Sequence, residues 1–167
     1  MPHPSDAPAH ESRLARALRE LLVQRRVASL ATVQADGTPF VSMVPYAIEH
    51  TQGLLVLHVS GLAAHTDNMA RQPLTACLVT APEVEGEPVH ALPRVTLHTR
   101  AETLPPDHPA WGPCRAAYLG RFPEVEPMTA LPDFRFVALH VLSARQVAGF
   151  GAARSVDADE LRLALQR

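Results

Sequence analysis

Leu14, Leu18, Leu21 and Leu22 recur at helical spacing near the start of the chain, with Arg13, Arg16, Arg19 and Glu20 largely on the other side. This pattern predicts an amphipathic helix ending near Arg25. The period then changes. Val27 to Gln34 reads as a strand, Asp36-Gly37 is a strong turn signal, and Pro39 to Ile48 reads as a second strand, so residues 27–48 form a hairpin. Pro45 cannot donate to a ladder and marks an edge or a break late in that strand. Gly53 closes the next turn. The continuous apolar run from Leu54 to Ser60 predicts a third strand buried on both faces. Gly61 to Ala70 reads as a short helix that Pro73 ends, and Leu74 to Thr80 as a fourth strand. Residues 81–91 read as an exposed loop. From Leu92 to Leu104 the alternation is clean, with Val95, Leu97, Thr99 and Ala101 on one face and Arg94, Thr96, His98, Arg100 and Glu102 on the other. Cys114 to Phe122 is a helix candidate. Phe134 to Val141 and Ala144 to Phe150 are two further strands. Asp157 with Glu160 three residues later resembles a capping box, and Leu161 and Leu165 place a final helix behind it. The hairpins and even spacing favour a closed antiparallel barrel over a parallel sheet.

Length and composition change this picture little. The 167 residues suit one domain, read here as residues 12–167 behind a flexible Pro-, Ala- and His-rich tail at 1–11. All 15 basic residues are arginine, so an anion site must rely on Arg, His, hydroxyls or backbone N–H groups. The net charge of -2, without a basic run, argues against a nucleic-acid partner. Cys77 and Cys114 form no CxxC pair, and the nine histidines show no metal-ligand spacing. No segment resembles a signal peptide or a membrane span, which makes the cytoplasm the expected compartment, with no membrane partner.

Two places can carry chemistry. The junction from Ser60 to Asn68 turns a strand into a helix N-terminus, whose free N–H groups and dipole suit an anion. Ser60, Thr66 and Asn68 can donate there, and His65 adds charge if protonated; simple capping by Ser60 with an exposed His65 is the plainer alternative. The polar face carrying Arg94 and Thr96 either lines a ligand groove or is an ordinary solvated face. His58 shares a face with Val56 and Ser60, where a lone histidine is commonly a core or interface residue.

The segments Leu30-Ala31-Thr32, Asp36-Gly37-Thr38-Pro39, Ser42-Met43-Val44-Pro45-Tyr46, His58-Val59-Ser60, His65-Thr66-Asp67-Asn68, Leu92-Pro93-Arg94-Val95-Thr96 and Gly149-Phe150-Gly151 resemble, in order and spacing, the pyridoxamine-5′-phosphate-oxidase-like FMN-binding split barrels. Tyr118-Leu119, Phe122-Pro123 and Asp133-Phe134-Arg135-Phe136 give the resemblance a heme-utilisation-like flavour. It implies a mainly β, α+β fold: a six- to seven-stranded antiparallel split β-barrel with flanking helices. It also implies a homodimer holding FMN in grooves between subunits. By position, Ser42, Met43, Val44, Pro45 and Tyr46 would run along the flavin, followed by His58, Val59 and Ser60. His65 falls where the oxidases have a phosphate-binding lysine, with Thr66 beside it. Arg94, with Thr96, falls where they have a glutamine near the ring. The oxidases' FMN-binding arginine near Ser42 and lysine near Ala47 are missing, as is their C-terminal Trp- and Arg-rich segment, which argues against pyridoxamine phosphate oxidation. Longer heme-related members carry a further C-terminal domain without a counterpart here, which weakens heme degradation as an expectation. The implied function is an FMN-dependent oxidoreductase whose substrate and electron donor the sequence does not name. Heme binding through His58, His65, His98 or His140 is the alternative, ranked second as a cofactor, and a non-catalytic flavin-binding domain is a further one. No residue is singled out as catalytic, and no metal site is expected.

Overall fold

Ser12 starts the first helix, α1 (Arg13–Gln24), by accepting the Ala15 N–H at 3.1 Å. The structure, a computed structural model, describes residues 11–167; the tail expected at 1–11 therefore lies outside it except for Glu11, which holds Arg19 at 3.0 Å. The strands follow as β1 (Val27–Val33), β2 (Pro39–Pro45), β3 (Ala47–Glu49) and β4 (Leu54–Ser60). After helix α2 (Ala64–Arg71) come β5 (Leu74–Thr80), a 3-10 turn at Val89–Ala91 and β6 (Arg94–Leu104). Helix α3 (Trp111–Arg121), a 3-10 segment at Pro123–Ala130, β7 (Phe134–Val147), β8 (Ala153–Asp157) and α4 (Ala158–Leu165) complete the chain.

All pairings are antiparallel, in the order β2-β1-β5-β6-β7-β4-β3, with β8 on β7. The first and last strands of this path are neighbours in sequence. β2 pairs with β1 up to Val27↔Pro45, Tyr46 donates its N–H to the Arg26 carbonyl at 3.0 Å, and from Ala47 the chain pairs with β4 instead. The sheet thus curls until its ends meet in one segment. Pro45 sits at that seam, as a residue without an N–H must sit where pairing lapses.

The inward positions fill the barrel. Leu30, Val44, Leu55, Leu57, Leu97 and Leu139 form its centre, with Leu18 and Leu22 of α1 and Leu161 and Leu165 of α4 packed onto it. Glu160 lends its N–H to Asp157 at 2.9 Å, the expected cap of α4. A second apolar cluster lies outside the barrel: Leu54, Val56, Leu104, Phe136 and Ala138 meet Cys114, Tyr118 and Phe122 of α3. The double-sided burial expected for β4 is therefore met within the chain, without a second subunit.

Three expectations change. Phe134 to Val147 is one bent strand rather than two, because a register shift against β6 at His98/Thr99 leaves Leu142 as an extra residue and the ladder runs on. The chain then turns at Gly149–Gly151 and returns as β8, so residues 148–150 are not strand. The helix after β4 begins at Ala64 rather than Gly61 and has no side-chain cap.

Candidate functional site

Ser42 is half-buried on the Val44 face of β2, paired with the buried Leu30, and His65 lies in the first turn of α2, 23 residues away. The fold brings them together, with Oγ 3.0 Å from Nδ1. Burial holds the His65 imidazole below its ordinary range, so at neutral pH it is an uncharged hydrogen-bonding group. Thr66 is buried and donates its hydroxyl to the Ser60 carbonyl at 2.6 Å. Ser60 accepts the Leu62 N–H at 3.1 Å and donates to Asp133 Oδ2 at 3.0 Å. Both hydroxyls are thus committed to holding the strand-to-helix junction. Asn68 is buried and donates to Thr32 Oγ1 at 3.0 Å.

The remaining positions separate. Met43 and Pro45 are exposed on the outer face of the sheet, whereas Val44, Tyr46 and Val59 point into the core. Tyr46 is fully buried and donates its hydroxyl to the Leu22 carbonyl at 2.7 Å, so its side chain is a core residue that meets no solvent. His58 faces outward on β4 into a ring cluster, 4.6 Å from Phe136 and 5.0 Å from Phe134 between centroids. Arg94 and Thr96 lie on β6, with β1 and β5 between them and β2. Arg94 folds back to donate to the Leu92 carbonyl at 3.0 Å. Within one chain, Ser42 and His65 therefore meet, and Arg94 and Thr96 stand apart from them.

A broad apolar face covers the outside of β2, β1 and β5. Val41 and Met43 are 62% and 66% exposed, and Val27, Val33, Leu74 and Leu78 are also exposed. Where this face meets β6 and β7 lies a groove of about 440 Å³ lined by Ala31, Val33, Leu74, His98 and Leu142. The His98 side chain makes no hydrogen bond or ion pair among the described residues, and Arg100 follows it on the same face of β6. His140, by contrast, holds Glu102 at 2.7 Å.

Nucleophile and metal chemistry find little footing. Burial raises the Cys77 thiol to about 12 and, with Glu49 and Glu102 adding to it, the Cys114 thiol to about 11, so neither is a thiolate at neutral pH. Among the described residues no group of three His, Cys, Asp or Glu side chains could hold a metal ion, and no helix is long and apolar enough to cross a membrane.

An antiparallel barrel closed at a proline seam, with helices packed outside it and a hydroxyl–imidazole pair at the strand-to-helix junction, defines a split-barrel protein. The chain belongs to the pyridoxamine 5′-phosphate oxidase family, whose model matches residues 14–148. It is 30% identical over 152 residues to heme oxygenase HutZ of Vibrio cholerae, a match covering 90% of this chain and 85% of that protein. A solved heme-binding protein from Mycobacterium smegmatis superposes with a TM-score of 0.80 at 29% identity, over 98% of this chain but only 62% of the mycobacterial one. A solved structure of HutZ, described there as a heme storage protein, gives a TM-score of 0.69 at 28% identity, over 77% of this chain and 89% of that one.

The sequence pattern missed the aromatic wall around His58. Trp111, the chain's single tryptophan, lies at the start of α3 beside it, and that uniqueness was the available signal.

Proposed function

We propose that this chain is a heme-binding protein, acting in heme utilisation as a homodimer of split barrels. The 30% identity to a heme oxygenase over 90% of the chain carries the reading. The groove beside His98 fits the group chemically. Its walls are apolar, as a porphyrin face requires, and an imidazole free of internal partners is an iron ligand in waiting. Arg100 on the same face would pair with a propionate. Of the other histidines, His65 is engaged by Ser42 and His140 by Glu102, which leaves them less free. Heme, when bound, supplies the redox chemistry; the protein's part is to bind, orient and shield it.

FMN is the second reading, favoured by the family match and by the Ser42–His65 pair at the position expected for the phosphate. The expected order of the two cofactors is nevertheless reversed. The matched relatives named above are heme proteins, and an imidazole kept neutral by burial offers a phosphate dianion no charge. A flavin-dependent oxidoreductase activity rests on that second reading alone.

The dimer is supported by the exposed Val41, Met43, Leu74 and Leu78 face, since contiguous apolar surface of this kind commonly marks an interface. A second copy there would also close the groove at His98.

Hemin titration followed by absorption tests the proposal. A shifted Soret band saturating near one heme per chain is expected, lost in His98→Ala and kept in His65→Gln and His140→Gln. No Soret shift overturns heme binding, and a shift indifferent to His98 overturns the groove. Retention of added FMN through gel filtration, without a Soret shift, would restore the flavin reading. Sedimentation of Met43→Arg as a monomer, against a dimeric parent, tests the interface.

A further inference from the structure

A second cavity, of about 400 Å³, lies outside β4 and β7. Its floor is one row of the sheet, because Phe136 pairs with Leu104 on one side and with His58 on the other. Phe134 stands two residues before Phe136 and so shares its face, 5.0 Å from His58 between ring centroids. Trp111, at the start of α3, stands edge-on to Phe136 at 6.0 Å and 84°. Pro105, Pro106 and the 129–132 segment bound the rest.

The polar side chains around this space are committed elsewhere, with one exception. Arg135 pairs with Val59, so its side chain leaves β7 on the other face, where it lies beside Gly61. Among the described residues no carboxylate lines the cavity. Thr103 precedes Leu104 and points to the opposite face, and the Thr129 hydroxyl donates to the Glu126 carbonyl at 2.8 Å. That leaves His58. It is half-buried and makes no hydrogen bond or ion pair among the described residues, although a buried polar group ordinarily finds a partner. Burial holds its imidazole below the ordinary range, so at neutral pH it carries one N–H donor and one bare nitrogen acceptor. No internal bond fixes which nitrogen holds the proton, so the ring can meet either a donor or an acceptor.

We infer that this cavity binds a small uncharged aromatic molecule, its ring among Trp111, Phe134 and Phe136 and its one polar group, a hydroxyl or a ring nitrogen, on His58. Ring contacts supply the area, and the imidazole fixes the orientation. An ion would lose its hydration here without meeting an opposite charge. The inference uses none of the residues of the His98 groove and does not rest on the heme reading.

Trp111 is the only tryptophan, so its fluorescence reports on this cavity. The probe is 4-nitrobenzyl alcohol, a neutral quencher; 4-nitrotoluene lacks its hydroxyl, and 4-nitrobenzoate replaces it with a charge. Saturable quenching by the alcohol is expected, about fivefold weaker for the toluene, as one net hydrogen bond allows, and roughly tenfold weaker for the benzoate. His58→Phe should bind alcohol and toluene alike, and His58→Gln, which keeps a donor and an acceptor, should restore the preference. The His98→Ala protein should titrate as the parent does. Linear quenching without saturation overturns the site. Equal affinity for alcohol and toluene in the parent, a comparison that needs no variant to fold, overturns the role of His58. Benzoate bound as tightly as the alcohol overturns the uncharged class. A hemin Soret shift lost in His58→Phe but kept in His98→Ala would give the cavity to heme and overturn the inference.

Discussion

Tyr46→Phe removes one oxygen atom from the seam of the barrel. That oxygen is the donor to the Leu22 carbonyl at 2.7 Å, in a position where both residues are fully buried. The carbonyl belongs to the last turn of α1, where helix geometry leaves acceptors without internal partners. The neighbouring acceptors have their own arrangements: the Arg25 N–H reaches Leu21 at 3.1 Å, and Arg121 reaches the Val23 carbonyl at 2.8 Å. Nothing else among the described residues stands ready to take Leu22. The substitution therefore loses a net hydrogen bond, about 1 kcal/mol, and leaves a buried acceptor bare, about 1–3 kcal/mol if counted as the full desolvation cost. About 2 kcal/mol is the expected loss of stability, since the two figures overlap. For a chain of this size that corresponds to a fall of about 4–8 °C in Tm. Urea unfolding followed by circular dichroism measures it: the midpoint should drop while the slope stays constant. A loss below about 0.5 kcal/mol would refute the reasoning. Ligand affinity gives an independent check. A side chain sealed in the core touches no cofactor, so a several-fold change in hemin or FMN binding at unchanged stability would move Tyr46 back to the site where family position puts it.

Two further outcomes follow from buried or strained positions. Burial lowers both His58 and His65 below 6.5, so the unfolded chain takes up protons first as the pH falls through that value. Their contribution to stability is thus full above the unfolded pKa and declines on acidification toward the lowered folded values; His65→Gln should flatten that part of a plot of urea midpoint against pH, and an unchanged slope would contradict it. Gly53 turns between β3 and β4 at φ +70, and an added Cβ would stand 3.1 Å from the Arg162 carbonyl. Gly53→Ala should cost about 1–3 kcal/mol in urea unfolding, and a neutral result would show that α4 yields at that contact.

Local signals were legible where one element decides its own shape. Asp36-Gly37 forms the expected turn, with Gly37 at φ +86 and Asp36 Oδ1 accepting from Thr38 N at 3.0 Å. The alternation of β6 held through Ala101, down to the buried Thr99, whose hydroxyl meets Thr75 at 2.7 Å. Signals failed where a second element decides. Nothing in Ala-Arg-Ser-Val-Asp alternates strongly enough to announce β8; only its pairing along Ser143–Val147 makes it a strand. The polar Ser143 made β7 look like two strands, because a bulge is a property of the pair and not of one sequence. The contact of Ser42 with His65 spans two elements and was reachable only through family position. The burial of Tyr46 and the retraction of Arg94 were not reachable even so, since both depend on what α1 and the 90–92 turn present to them.

The placement of the histidines shows why function cannot be read from residue type here. A small barrel fills its interior with side chains, so any binding must occur on its outside. Strand alternation sends His58, His98 and His140 outward, because Leu57 and Val59, Leu97 and Thr99, and Leu139 and Val141 point inward on the same strands. Three equivalent sequence positions then meet three different neighbours. Glu102 engages His140, which ties β6 to β7. Aromatic rings surround His58, and burial holds its imidazole below the ordinary range. His98 opens onto an apolar groove and has no partner among the described residues, which is the basis of the proposed heme site. What separates the three is the packing outside the barrel: α3 covers the β4–β7 face, whereas the β2–β1–β5 face stays exposed within the chain. If the exposed face is the interface proposed above, a monomeric variant should lose the His98 groove as a closed site. Hemin titration of Met43→Arg measures this: several-fold weaker binding than the parent is expected, and parental affinity in a monomer would refute the reasoning.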